Sequence, residues 1–470
     1  MTQELSSSWP VEARRHRRYR IPSRTYFGYA VGLLEGVLAI ALLALSLPAF
    51  SEPHSAIVAL ATLVGGFYGI VCAMASAQFL RSQATRRPMI LHSIVVWLAG
   101  SAMALALLLW LSHSAGMDLD WTVLLLGGVV LVAMRLVFIR GCMHLMRDGR
   151  LQIERVALIG PSNELAQFGR NARIWRQGAQ VVRTLALDDA EAAAPHERLA
   201  AFAQDCVEAN CDTVLLVSGH DGQAAFDDLV APFRSFALNV MRAPAIGSER
   251  QMLVDLLPIG AVQPARIQAK PIDDTGRLLK RSFDLVATTL GLTLLLPFLL
   301  LVAALIKLDS PGPVLFVQDR RGFNGKTFRI FKFRSMSVME DGRAMRQAQL
   351  HDPRITRIGA FLRRSSIDEL PQLLNVLRGE MSLVGPRPHA ISHDAELALR
   401  FGRYAQRQRI SPGITGWAQV NGYRGDTSTQ ERIEGRTLHD LYYVENWSFL
   451  FDIRVLLLTF LSPKTKDNAR

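Results

Sequence analysis

The sequence predicts a three-part membrane protein: a four-span helical bundle, a small doubly wound α/β domain, and a membrane-associated α/β domain carrying a re-entrant helix. Three observations carry that prediction. Four apolar segments of about twenty residues fill the N-terminal third, each long enough to cross a hydrocarbon core of about 30 Å. Strand-like and helix-like stretches then alternate between residues 151 and 265. A fifth apolar segment, with Pro297 at its middle, precedes a run of basic residues. Composition agrees: 470 residues leave room for about three domains, and a chain 50% hydrophobic but only 20% charged is apolar for a soluble protein. The net charge of +12 favours anionic partners, whether nucleic acid, phospholipid headgroups or phosphorylated substrates. Cysteines 72, 142, 206 and 211 follow no zinc or redox spacing, which argues against a disulfide framework or a cysteine metal site.

Residues 1–25 form a basic tail containing "RRHRRYR", too basic and too far from the start to belong to a cleavable signal peptide. The bundle, residues 26–145, holds spans near Tyr26–Phe50, Ala56–Leu80, Met89–Leu111 and Trp121–Cys142. Arginines crowd the tail, the Arg81–Arg87 turn and the Arg140–Arg150 stretch, whereas the loops "SEPHS" and "SHSAGMDLD" carry no Lys or Arg. The positive-inside rule then places the N-terminus and the chain after residue 142 in the cytoplasm. Glu35 and Arg135 interrupt two spans, and such charges face the bundle in a structural role.

Between residues 151 and 265, "RVALIG" and "DTVLLVS" read as buried strands, with helices from about Asn163, over Glu197–Ala209 and in "QAAFDDLVAPF". "LIGPSNEL" keeps one glycine of the three in a dinucleotide fingerprint, so the backbone cannot approach a pyrophosphate closely. This is a degenerate Rossmann-like domain, read as a regulatory or assembly module without cofactor. Residues 266–279, with "IQAKPIDDTG", read as a linker.

Leu285–Ile306 could span a membrane, but Lys280 and Arg281 precede it while Lys307, Arg320 and Arg321 follow. Both ends therefore carry the inside label. A helix over 283–307 that enters, breaks at Pro297 and returns satisfies both facts, with Thr288, Thr289 and Thr293 to serve the freed backbone. Next, "GPVLFVQDRRGFNGKTFRIFKFRSM" gives two strands around an "FNGK" turn. Period two puts Phe328, Ile330, Lys332 and Arg334 on one face, leaving two cations adjacent at the strand end.

In "RRSSIDELPQLLNVLRGEMSLVGPRP", Pro371 is tolerated only in a first helical turn, so a helix starts near Ser366–Asp368 and ends at Gly379. Asp368 and Glu369 then sit at the positive end of its dipole, where carboxylates stay ionised and phosphates bind. Ser366 and Glu369 fit a capping box. The Gly-Pro-Arg-Pro turn that follows holds Arg387 with little freedom. Ionised carboxylates, arginines and a helix start are the components of phosphoryl transfer with a divalent metal.

At these residues the chain resembles the bacterial sugar transferases that load a hexose-1-phosphate onto polyprenyl phosphate, the monotopic phosphoglycosyl transferases. The stretches that carry the likeness are "KRSFDL", "KLDSPGPVLFVQDRRGFNGKTFRIFKFRSM", "LRRSSIDELPQLLNVLRGEMSLVGPRP", "SPGITGWAQVNGYRG" and "DLYYVENWSFLFDIRVLLLT". The four spans with a degenerate Rossmann-like domain resemble the long-form members, and "VNGYRGDTST" is similar to the branch that initiates with glucose. Where many short-form relatives place a serine before the helix proline, this chain has Leu296. The resemblance makes residues 280–470 the phosphoglycosyl transferase domain, with Asp368 as nucleophile and Glu369 as the magnesium (Mg2+) ligand. It implies that Arg363 and Arg387 contact phosphate, and Lys332 and Arg334 are added from the basic hairpin. The implied partners are a UDP-hexose, undecaprenyl phosphate and membrane lipids. Nucleic acid drops out, and a homo-oligomer such as a dimer is left open. The expected place is the inner, cytoplasmic membrane, multi-pass, with the catalytic domain on the cytoplasmic face. Two rival readings are a membrane-anchored sensor or assembly protein that has lost catalysis, and a dinucleotide-dependent oxidoreductase. Intact Asp368, Glu369 and Arg387 argue against the first. The missing glycines and the lack of a Tyr-x-x-x-Lys pair argue against the second.

Overall fold

The computed structural model describes residues 19–20, 24–46, 54–82, 88–114, 121–147, 151–152, 154–171, 179–187, 195–217, 223–243, 265–337, 353–423 and 429–461. They fall into two compact units, residues 1–227 with 238–268, and residues 228–237 with 269–470. The protein is mostly helical, with one five-stranded mixed sheet and smaller two-stranded ones.

The first unit begins with four long helices, α1 (Arg24–Ser46), α2 (His54–Ser82), α3 (Pro88–Ser114) and α4 (Trp121–Arg147). They overlap the four apolar segments of the sequence. α1 and α2 approach backbone to backbone through Gly32, Gly36, Gly65 and Gly69; a Cβ on Gly36 would lie 2.6 Å from the Gly69 Cα. Small residues four apart on both helices are what permits this. Val64, Tyr68, Cys72, Trp97 and Leu108 fill the core between helices. The two charges in the apolar segments meet there: Arg135 pairs with Glu35 at 3.3 Å, both buried, and also donates to the Ser76 hydroxyl. The outer faces carry exposed Leu33, Leu34, Val37, Ile70 and Leu125.

The same unit holds the sheet, with β1 (Glu154–Gly160), α5 (Ser162–Asn171), β2 (Ala179–Ala186), α6 (Pro195–Glu208), β3 (Thr213–Val217), α7 (Gln223–Val230), β4 (Asn239–Ala243) and β5 (Ala265–Gln268) in chain order. Its spatial order is β2-β1-β3-β4-β5; the first four strands are parallel and β5 is antiparallel to β4. β3 is buried along its length, as its unbroken apolar run requires of a central parallel strand. The stretch 266–279, expected as a linker, instead supplies most of β5 and the start of the next helix. That helix is capped by Asp273, whose side chain accepts from Gly276 N at 2.7 Å. A four-residue edge strand is too short to leave a periodic signal.

The second unit is threaded by α8 (Asp274–Asp309), which among the described residues is the one helix long and apolar enough to cross a membrane. Shorter apolar stretches lie at Ala30–Ala41, Thr62–Ser76 and Ile94–Trp110. The helical assignment of α8 runs through Pro297 without the expected interruption. A proline forfeits one backbone bond and kinks a helix without having to end it. Most of the apolar stretch is exposed, including Leu290, Leu294, Leu300 and Leu301, whereas Val302 and Ile306 pack against Phe333 and Leu362. The C-terminal end of α8 is thereby fixed to the strand and helix that carry site residues. β6 (Leu315–Arg321) and β7 (Thr327–Phe333) form the expected antiparallel hairpin, with Asn324 at φ 53° in its turn. Then come α9 (Arg357–Ser365), a 3₁₀ segment (Ile367–Gln372), α10 (Leu373–Arg378), β8 (Ser382–Val384), α11 (Ile391–Arg400), β9 (Gly413–Thr415), α12 (Gln430–Glu445) and α13 (Phe449–Leu461). Val384, Ile410, Val420, Tyr443, Val444 and Val455 make the main core of this unit. In it Lys280 is buried and holds Asp452 at 2.6 Å and the Val384 carbonyl at 2.9 Å.

Candidate active site

The Asp-Glu pair lies on the 3₁₀ segment, and the backbone before it decides its use. Ser366 stands at φ 59°, ending α9 in the left-handed region, and its side chain caps nothing on the segment that follows. The capping box expected of Ser366 and Glu369 does not form, because a capping residue needs extended backbone and Ser366 is left-handed. Glu369 is consequently free to turn inward. Its carboxylate takes Lys332 Nζ on Oε1 at 2.8 Å and Arg387 Nη1 on Oε2 at 2.9 Å, while Arg387 Nη2 also donates to Oε1. The Arg387 contact is a two-pronged fork, the strongest geometry a guanidinium offers a carboxylate.

Each of these side chains is delivered by a local rule. The alternation of β7 buries Phe328 and Ile330 and brings Lys332 to the same side. The fully buried Asn375 ties α10 to that strand, accepting from Phe331 N at 3.0 Å and donating to the Arg329 carbonyl at 2.7 Å. Gly379, at φ +80°, closes α10, and Arg281 of α8 donates to the carbonyls of Val376 and Leu377 at that end. Arg387 follows β8, which pairs in parallel with β9. Its own carbonyl accepts from Arg407 Nη2, so the turn carrying it is held from behind.

The two neighbouring carboxylates are electrostatically unlike. Burial raises Glu369, but Arg387 and Lys332 outweigh it and hold the group well below the usual range. Asp368 is half-buried, and no described residue donates a hydrogen bond to it. Burial, and then the charge of Glu369 beside it, push its carboxyl up to about 6, against the pull of Lys332, Arg387 and Arg363. Two carboxylates side by side, one permanently charged and one titrating near neutrality, are the arrangement in which acid, base or nucleophile roles separate.

The structure thus brings together Asp368, Glu369, Lys332, Arg387 and Arg363, the last through its charge on Asp368 while its Nη1 lies 3.7 Å from Met336 Sδ. It does not bring Arg334 to them. β7 ends at Phe333, and the Arg334 guanidinium turns back to the end of α8, donating to the carbonyls of Pro311 at 2.9 Å and Ser310 at 2.6 Å. Four unpaired carbonyls at a helix C-terminus attract a cation as strongly as a remote carboxylate does. Pro297 stays within α8.

Sequence reading missed Arg320, Arg407, Arg436 and Asp440. Arg320 is half-buried, and burial and Arg387 lower its pKa to about 10. Arg407 is buried and binds Asp440 at 2.8 Å and the Tyr404 hydroxyl at 2.8 Å. The signal was present in α12: Arg436 and Asp440 fall on the same stripe as buried Ile433, Thr437, Leu441 and Val444. Charges on the apolar face of a helix are buried ions and mark a polar centre.

The donor set also bears on magnesium. No group of three or more His, Cys, Asp or Glu side chains able to enclose a metal occurs among the described residues. Magnesium is commonly held by one or two carboxylates together with substrate phosphates and its own waters. Two adjacent carboxylates, Asp368 and the ionised Glu369, fit that manner of binding.

Residues 275–465 match the family described as bacterial sugar transferase. Over 189 residues the chain is 51% identical to the UDP-glucose:undecaprenyl-phosphate glucose-1-phosphate transferase of Escherichia coli K12, covering 40% of this chain and 41% of that protein. It is 40% identical over 334 residues to the undecaprenyl-phosphate glucose phosphotransferase of Komagataeibacter xylinus, covering 70% of this chain and 62% of that one. These two relatives are therefore matched over less than two thirds of their length. The transferase of Caulobacter vibrioides that bears the same description as the E. coli protein is 52% identical over 192 residues, which cover 41% of this chain and 72% of that protein. With a relative matched at that identity over most of its length, and the carboxylate pair, the hairpin lysine and the Gly-Pro-Arg-Pro arginine meeting in one place, the chain belongs to the bacterial sugar transferase family.

Proposed function

We propose that this protein is a membrane enzyme that transfers hexose-1-phosphate, with glucose as the hexose, from a UDP-sugar to undecaprenyl phosphate, releasing UMP. The reading deepens the family assignment, and the names of the E. coli, K. xylinus and C. vibrioides relatives support its substrates. The single observation that carries the mechanism is the division of labour between Glu369, neutralised by Lys332 and Arg387, and Asp368, ionisable near neutrality and free to attack.

Asp368 attacks the β-phosphorus of the UDP-hexose. A carboxylate–phosphorus bond forms, the bond to the bridging oxygen breaks, and UMP leaves with both electrons. An oxygen of undecaprenyl phosphate then attacks the same phosphorus, the lipid diphosphate-sugar forms, and the Asp368 carboxylate is returned. Above pH about 6 Asp368 is mostly ionised, as a nucleophile must be. Lys332 and Arg387 fix Glu369 in its charged form, and Arg363 adds positive charge where the transferring phosphoryl group develops negative charge. Magnesium, when bound by Glu369 and the diphosphate, supplies further neutralisation of that charge.

The membrane arrangement belongs to the same proposal. Helices α1–α4 are four spans: their glycine-mediated contact, the internal Glu35–Arg135 pair and the exposed outer leucines are how helices pack in lipid. α8, helical through Pro297, bends there as it dips into the membrane and returns, so that the active site stays on the cytoplasmic face of the inner membrane, where a lipid phosphate and a soluble nucleotide sugar can meet. The sheet of the first unit is a Rossmann-like module for regulation or assembly. The deciding experiment incubates membranes holding the protein with a panel of radiolabelled UDP-sugars and follows label in the lipid fraction together with UMP release. UDP-glucose is expected to label the lipid; no label from any UDP-hexose overturns the reading.

A further inference from the structure

Asp440, on the buried face of α12, is already neutralised: Arg407 donates to Oδ2 from Nη2 at 2.8 Å and from Nε at 3.1 Å. One turn earlier on the same face lies Arg436, 5% exposed, whose Nε and Nη2 have no hydrogen-bond partner among the described residues. The charged groups around it are Asp440, Arg407 and Arg387, with the Tyr404 hydroxyl. One of these is an acid that already serves another arginine, and two are further cations. Arg320 and Lys332 interact with Arg387 as further cations, against Glu369, Asp394 and Asp368. A guanidinium keeps its proton in a protein, and a buried cation with unmet donors is costly. Such an arrangement is stable in use only if an anion arrives to complete it. The fork of an arginine matches phosphate oxygens in particular.

We propose that Arg436 is a second phosphate-binding residue of this site, holding a phosphate other than the one Asp368 attacks. This rests on the transfer reading above, which requires the site to handle three phosphorus centres: the one transferred, the α-phosphate that departs in UMP, and the phosphate monoester of the lipid acceptor. Arg387 binds Glu369 and lies near enough to Arg436 for the two cations to repel, so Arg436 adds a second cation to the charged neighbourhood of Arg387. The α-phosphate and the acceptor phosphate share the chemistry Arg436 recognises.

The test compares the full-length wild-type protein with Arg436→Met and Arg436→Lys in nanodiscs. Without ligand, Arg436→Met is expected to melt at the wild-type temperature or above, because removing a buried, unpaired cation relieves repulsion with Arg407 and Arg387 while Asp440 keeps its partner. A lower melting temperature for Arg436→Met would assign the residue a purely structural role and overturn the proposal. Binding is then measured with inorganic phosphate, UMP and undecaprenyl phosphate as separate probes. Arg436→Met should bind inorganic phosphate about ten- to hundredfold more weakly, the loss of a charge-assisted pair of hydrogen bonds. A matching loss for UMP assigns the α-phosphate; a matching loss for undecaprenyl phosphate assigns the acceptor. The KM of that same substrate rises, and Arg436→Lys recovers part of the affinity. Unchanged affinity for all three probes sinks the proposal. If wild type binds phosphate through Arg436 but transfers no hexose phosphate, the transfer reading falls while the anion site stands. If wild type turns over and Arg436→Met matches it in every measurement, only the anion site falls.

Discussion

Asp368 and Glu369 differ by one position in the chain and by the cations each can reach, and their expected behaviour separates accordingly. Asp368→Asn removes the proposed nucleophile, so lipid-linked sugar should fall by about a thousandfold or more. The same change should stabilise the fold at neutral pH. The Asp368 carboxyl is raised from 3.8 to about 6 by burial and Glu369, so the fold favours its protonated form. That favourable contribution is complete below the unfolded value and is lost as pH rises through 6. Asparagine keeps the neutral form at every pH, so the variant should gain about 1–2 kcal/mol at pH 7 and nothing below pH 4, read by denaturant titration at both. In the wild type the transfer rate should decline on acidification with a midpoint near 6. Glu369→Gln has the opposite sign. Glu369 is held below its ordinary value, so its stabilisation is present above that value and is lost only as pH falls. The amide leaves Lys332 and Arg387 without their counter-charge, which should cost about 2–3 kcal/mol at pH 7. The freed cations should also pull Asp368 down and move the acid limb of any residual activity to lower pH.

Among the elements, the junction of α8, β7 and the 3₁₀ segment determines what the basic hairpin can do. Period two places Lys332 and Arg334 on one strand face, and the strand stops between them at Phe333. Lys332 remains in register with Glu369, while Arg334 binds the carbonyls of Ser310 and Pro311 after α8. Arg334→Met should accordingly lower stability by about 2 kcal/mol through the carbonyls it strands, and leave the KM for UDP-glucose within about twofold of wild type. A KM raised tenfold with unchanged melting temperature would return Arg334 to the substrate. Ser366 teaches the same lesson. Its spacing to Glu369 fits a cap, but its left-handed backbone, imposed by the end of α9, turns the glutamate to the cations.

For the whole molecule, the exposed prediction is topological. On the proposed re-entrant topology, which rests on the positive flanks of α8 and Pro297 within it, residues 270 and 327 lie on the same, cytoplasmic, face. Lys270→Cys and Thr327→Cys, probed in intact cells with a membrane-impermeant maleimide, should both stay unlabelled until the cells are opened. Labelling of Thr327→Cys alone from outside means that α8 spans. Pro297→Leu should straighten the helix, invert part of the population and lose activity in proportion to the inverted fraction.

What the sequence determined by itself is whatever depends on neighbours along the chain. The four long helices follow from apolar length, the hairpin from its Asn-Gly turn, the end of α10 from Gly379, and the place of Lys332 on its strand from period-two alternation. What only the tertiary structure decided is which distant groups complete each charge: Arg135 meeting Glu35, Lys280 meeting Asp452, Arg334 leaving the site for the end of a helix, and Arg436 left inside it with unmet donors. The reason is physical. Backbone propensity and capping act within a turn or two, whereas the free energy of a buried ion depends on every charge and dipole the fold packs around it, and those come from residues tens to hundreds of positions away.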